Sequence, residues 1–213
     1  MRKYLVFILI LLTASLFALS ACTTGEPAET FQPTPPARGI FEGSTFTSGF
    51  FGIRLDLPDS WNIISDDELA EQPWVELELL IPRGAAITTG LFAGVQTPII
   101  IDLLAICEET NSTIDLFVLP IPDDMAHLSA AEFLYQRTTE DAAIFQGMMS
   151  IDMLEGTTTI GHLDWYGVDT GMPAFAVRRR TFATIDGPFA RFITIGYVDV
   201  ERMNNTLDLF GQY

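Results

Sequence analysis

The chain has 213 residues, 48% of them hydrophobic and 11% aromatic, and its 28 acidic against 11 basic side chains give a formal charge of −17. Such an acidic surface repels phosphates and argues against a nucleic-acid partner, because that binding draws on dense positive charge and counterion release. With only two cysteines a disulfide-stapled scaffold is excluded, so the fold must rest on an apolar core, to which 16 phenylalanines contribute.

The chain opens with Arg2 and Lys3, an apolar run from Tyr4 to Leu12, and then Leu19-Ser20-Ala21-Cys22. A basic start, an apolar stretch and small residues before a cut mark an export signal rather than a membrane-spanning helix. The Leu-Ser-Ala-Cys ending resembles the lipobox of bacterial lipoproteins. That resemblance implies cleavage between Ala21 and Cys22 and a diacylglyceryl (palmitate-type) anchor on Cys22, on the extracytoplasmic face of the cell membrane. Loss of Arg2 and Lys3 with the signal leaves 9 basic against 28 acidic residues, a charge of −19. No polybasic patch assists membrane attachment, so two acyl chains must supply it.

Residues 22–44 hold Pro27, Pro33, Pro35 and Pro36 among Thr, Glu and Gly without an apolar period, and read as a lipidated cysteine followed by a flexible tether. Residues 45–213 are then one domain of ordinary size. Phe46 to Phe51 and Gly52 to Leu57 read as short strands, ended by a Pro58-Asp59-Ser60 turn that places Trp61 at the start of the next segment. Ser65 and Glu68 form a capping box for a short helix through Glu71. In residues 74–98, Pro82, Gly84, Gly90, Gly94 and Pro98 break any long element.

Ile99 to Cys107 and Thr113 to Leu119 read as a hairpin around a polar turn. Cys107, amid apolar neighbours, reads as a small core residue. Ser129 and Glu132 form a second capping box, with Leu128 and Phe133 as its staple, for a helix to about Ala143 that turns Ala131, Leu134, Tyr135, Ala142 and Phe145 toward a sheet. Met148 to Leu154, Gly161 to Val168 and Ala174 to Ile185 read as strands, and Asp186-Gly187 as a hairpin turn into Phe189 to Tyr197. Asp199 caps a last helix with Val200, Met203, Leu207 and Phe210 on one face and Gly211 as its stop. Strands, helix, strands, helix is the order of an α+β fold: an antiparallel β-sheet covered by helices.

Phe51-Gly52-Ile53-Arg54-Leu55-Asp56-Leu57-Pro58-Asp59-Ser60-Trp61, the hairpin, the Ser129 helix, and Arg191-Phe192-Ile193-Thr194-Ile195-Gly196-Tyr197 before a last amphipathic helix together resemble the PsbP-like fold. Its members include an extrinsic photosystem II protein, a Ran-binding nuclear import factor and many bacterial lipoproteins of unknown function. The resemblance spans residues 45 to 210, implies an α/β/α sandwich and a binding or assembly module, and carries no catalytic residues.

Chemistry-bearing constellations are sparse. His162 and Asp164 share a strand face at a spacing compatible with two metal ligands, but a zinc site needs three or four, His127 is the only other histidine, and His162 reads as a strand-end residue beside a carboxylate. Asp66, Asp67, Glu68, Glu71, Asp123 and Asp124 sit at helix starts, where the dipole favours acids without any ligand, and no EF-hand spacing is present. No metal and no cofactor is expected. Nucleophile elbows, phosphate loops and any lysine beyond Lys3 are missing from the sequence, which argues against an enzyme.

Arg178-Arg179-Arg180 stands against the acidic composition. Alternation sends Arg178 and Arg180 to one face and Arg179 to the other. Pairing with acids on neighbouring strands is one reading; a face on which Arg178 and Arg180 bind the anionic groups of a partner is the other. Trp74, beside Pro73, is the candidate rim of a ligand site. The expectation is therefore a lipid-anchored, noncatalytic module that binds envelope or membrane proteins. The alternatives are a ligand-capture lipoprotein with its pocket near residues 74–98, and a hydrolase with an acidic site.

Overall fold

The computed structural model describes residues 36–65, 68, 86–87, 99–144, 149–172 and 177–211. Along them run β1 (Ile40–Glu42), β2 (Thr45–Ser48), β3 (Ile53–Asp56), β4 (Trp61–Ile63), β5 (Ala86–Ile87), β6 (Ile99–Cys107), β7 (Ser112–Pro120), a 3-10 turn (Asp123–Met125) and α1 (Ala130–Ile144). β8 (Ser150–Ile160), β9 (Leu163–Met172), β10 (Val177–Asp186), β11 (Phe189–Tyr197), α2 (Val200–Leu207) and β12 (Phe210–Gly211) follow. Among these residues every strand pairing is antiparallel, and the fold is α+β.

The large sheet has the order β4-β6-β7-β11-β10-β9-β8, with β5 also on β6; the small sheet has the order β1-β2-β3-β12. Hairpins account for most neighbours, and β11 returning to β7 joins the hairpin to the meander. Alternation divides the large sheet into two apolar faces. Ile114, Leu116, Val118, Phe182, Ile193 and Ile195 meet Phe46, Ile53 and Leu55 of the small sheet, while Phe117, Leu119, Ala183 and Phe192 meet Phe133 and Leu134 of α1. Both faces being covered, β7 and β11 are buried almost throughout, which is why both are rich in apolar residues without a strict polar alternation. The rings of Phe117 and Phe192 stack 4.9 Å apart at 5° across the strand pair.

Several expectations shift. One face of the large sheet is covered mainly by the small sheet, with Met203 of α2 in that core, rather than by a full helical layer. The fold begins inside the segment read as tether: Ile40 to Glu42 pair with Thr47 to Thr45. β8 continues through Thr157-Thr158-Thr159 to Ile160, past a bulge at which Gly156 takes a φ of 71°. On α1 the buried positions among the described side chains are Phe133, Leu134, Arg137 and Thr138, whereas Tyr135 is 56% exposed. The last helix ends at Leu207, and Phe210 and Gly211 form β12 against Leu55 and Arg54, so Gly211 does not stop the helix.

One bulge determines where the N-terminal segment is held. Between Ile101 and Leu103 the β6–β7 register slips, leaving Asp102 without a partner across the ladder and turning its carboxylate toward the small sheet. Ser48 Oγ and the Gly39 backbone N–H each donate to it at 2.6 Å, and Arg38 donates to its carbonyl at 3.3 Å. Burial raises the Asp102 pKa, opposed by the hydrogen bonds from Ser48 and Gly39 and by the Arg38 charge. Asp102→Ala strips the acceptor from two donors, one of them the fully buried Ser48. It is expected to cost about 2–4 kcal/mol in urea unfolding; a loss below about 1 kcal/mol counts against the fastening.

Candidate functional site

The three arginines straddle the first half of β10, and register decides what each one meets. Arg178 lies opposite Gly171 and Tyr197, Arg179 opposite Thr170 and Gly196, and Arg180 opposite Asp169 and Ile195. The expected split between faces holds: Arg180 turns to the side of Phe182 and the first core, Arg179 to the opposite side.

On the first side, Arg180 donates to both carboxylate oxygens of Asp169, through Nε at 2.7 Å and Nη2 at 2.6 Å. This two-pronged pairing fixes the guanidinium plane, and its hydrogen bond to Asp169 raises the Arg180 pKa further. Tyr197 is buried beside it; burial first, then the Asp169 charge, raises its pKa. Arg178 is exposed next to this arrangement and forms no ion pair among the described residues. The structure therefore supports the pairing reading for Arg180, and of the two candidates leaves only Arg178 presented to solvent.

On the other side, the register aligns Asp115, Thr194 and Thr181 across β7, β11 and β10, and Thr113, Gly196 and Arg179 one step closer to the sheet end. All of the side chains in these two rows are buried. Thr181 and Thr194 share a hydroxyl hydrogen bond of 3.2 Å, and Thr113 Oγ1 accepts from the Gly196 N–H at 3.2 Å. Neither carboxylate oxygen of Asp115 accepts a hydrogen bond. Burial pushes its pKa up to about 7, against the lowering influence of the Arg179 charge. A buried acid with that pKa is a proton-accepting group in search of a role, and such groups occur in structural as well as functional settings.

Asp115, Asp169 and Tyr197 were not among the residues singled out from sequence. Asp115 had a signal, a lone acid inside the apolar run Thr113-Ile114-Asp115-Leu116; Asp169 and Tyr197 gain their meaning only from the pairing of β9, β10 and β11. His162 is exposed in the β8–β9 turn with its ring over Gly52, and no carboxylate partner for it is present among the described residues. Asp164 accepts from the Thr159 hydroxyl at 2.8 Å. Among the described residues no three His, Cys, Asp or Glu side chains converge on a metal position. Cys107 is a buried free thiol. Trp165 is fully buried, stacked on Phe51, its indole N–H donating to the Ile160 carbonyl at 3.2 Å, while Trp61 packs partly buried against the same core. Ala21, Cys22, Trp74 and nearly all of residues 74–98 lie outside the described residues. No described helix is long and apolar enough to cross a membrane.

Fold and site together define an α+β domain with a charged, arginine-bearing end on its central sheet. No family model matches the chain and no curated protein matches its sequence. In structure it is similar to cyanobacterial PsbP (CyanoP) from Synechocystis sp. PCC 6803, solved in solution, with a TM-score of 0.45 and 10% identity over 92% of this chain and 99% of that one.

Proposed function

We propose that the protein is a lipid-anchored, extracytoplasmic, noncatalytic module that docks an envelope or membrane protein at the arginine-bearing end of its large sheet. The observation that carries this reading is Arg178, an exposed guanidinium beside the fixed Arg180–Asp169 pair, on a chain of net charge −17. A positive group held on a rigid strand within an acidic surface is suited to a partner's carboxylates, and it favours the correct encounter over random ones. The anchor supporting the reading is the lipobox-like Leu19-Ser20-Ala21-Cys22.

The test is affinity capture from detergent-solubilised envelopes with lipidated wild-type protein, a Cys22→Ala form and Arg178→Glu. Arg178→Glu is expected to lose the partner with its Tm unchanged, because the residue is exposed and its removal breaks no ion pair among the described residues. Retention of the partner by Arg178→Glu overturns the docking face. Arg180→Glu is the wrong probe, since it sets a second acid against Asp169 and is expected to lower Tm.

A further inference from the structure

Ile40 and Phe41 are 60% and 40% exposed, on a strand whose outer edge pairs with nothing among the described residues. Two large apolar side chains on an open edge are a feature that exported domains usually cover or replace with charge. Their position along the chain supplies an occupant. Gly39, immediately before them, is fastened by its N–H to buried Asp102 and lies against the Phe46 ring, and the Phe41 ring packs on that same ring at 5.0 Å. The chain therefore leaves the fold at a fixed point, and β1 is the first of the described elements after Cys22.

We propose that β1, through Ile40 and Phe41, rests against the lipid surface to which the chain is anchored. This rests on the lipid at Cys22. The 18 residue steps from Cys22 to Ile40 reach at most ~60 Å when extended. A chain of that many residues without regular structure averages ~25 Å end to end, against the ~40 Å width of a domain of this size. A short tether also gives an effective concentration in the millimolar range, so a contact too weak to bind free protein is populated when it is intramolecular. The chain's negative charge makes a zwitterionic surface the suitable one and an anionic surface the repelling one.

The test uses full-length lipidated protein in phosphatidylcholine nanodiscs, with a nitroxide label at Ile40→Cys, at Met153→Cys as the comparison site on β8, and a mock-labelled wild type to account for buried Cys107. Met153 is 37% exposed. The expected result is a loss of accessibility to a water-soluble nickel chelate and a gain in accessibility to oxygen at residue 40, with neither at residue 153. Both changes should disappear in Cys22→Ala protein mixed with the same nanodiscs. An acylated protein with equal, water-like accessibility at both sites overturns the lipid contact alone. A mature N-terminus without acyl chains, read by mass spectrometry, overturns the anchor and the contact with it.

Discussion

Asp115→Asn is expected to remove a pH dependence that the wild-type protein carries between about pH 4 and pH 7. The carboxyl has a folded-state pKa of about 7, raised chiefly by burial from the 3.8 of a free aspartate side chain. A raised acid pKa means that the folded state binds a proton over this range that the unfolded state has already released. The contribution of Asp115 to stability is therefore greatest below pH 4, falls as pH rises through the interval, and levels off above pH 7. At 1.36 kcal/mol per unit, the ionised carboxylate costs the native state on the order of 4 kcal/mol at pH 8 relative to pH 4. The structural cause is plain: Asp115 stands on a central strand, neither oxygen accepts a hydrogen bond, and the described residues along its face are Leu104 and Ile106 from β6, Thr194 and Gly196 from β11, Thr181 and Arg179 from β10, and Thr113 and Phe117 on its own strand. Arg179 alone among these is charged. Asparagine keeps the shape but cannot ionise, so the measured quantity is the difference in slope between variant and wild type in urea unfolding at pH 4, 6 and 8. The general repulsion of an acidic chain acts on both proteins and cancels in that comparison. Parallel slopes mean that Asp115 is already neutralised by other means.

Asp115 also illustrates where sequence reasoning stops. Local signals were read correctly where the chemistry is local. Ser129 and Glu132 exchange the expected capping bonds, with Ser129 N–H donating to the Glu132 carboxylate at 2.9 Å, and Ser65 with Glu68 does the same at 2.8 Å. Asp199 accepts from the Arg202 N–H at 2.9 Å, as the start of α2 requires. Alternation likewise separated Arg179 from Arg178 and Arg180. The partners of those arginines come from register across strands far apart in sequence, and one residue of slip exchanges the faces of a strand. The Asp102 bulge is such a slip, invisible in Ile101-Asp102-Leu103, where plain alternation gives no reason for the acid to reach Ser48. The strand expected from Met148 to Leu154 runs on to Ile160 because pairing with β9 keeps Thr157, Thr158 and Thr159 extended. The end of α2 was misplaced for the same reason: Phe210 satisfies a helical period, yet pairing with Leu55 decides its structure.

Gly161→Ala is expected to be among the most damaging small substitutions in the domain, because two turns approach each other with no room for a methyl group. Gly161 lies in the β8–β9 turn with a φ of 64°, and Gly52 in the β2–β3 turn with a φ of 65°. A Cβ on Gly161 falls on the Gly52 carbonyl oxygen, which is backbone and cannot swing aside, and comes within 3.3 Å of Ile53 Cγ2, itself wholly buried. The left-handed conformation alone costs an L-residue about 1 kcal/mol. Forcing the two turns apart adds about 1–3 kcal/mol of overpacking. Gly43→Ala is the matched control: its φ is also 64°, but a Cβ there meets nothing within 4 Å. It pays the conformational cost without the clash. The difference between the two variants in urea unfolding then isolates the contact between the turn of the large sheet and that of the small one, expected at about 1–3 kcal/mol. Equal losses at the two positions show that the turns do not touch. A larger loss in Gly161→Ala than in Gly43→Ala shows that the small sheet, which carries β1, is held in place by this backbone contact as well as by the side chains of the shared core.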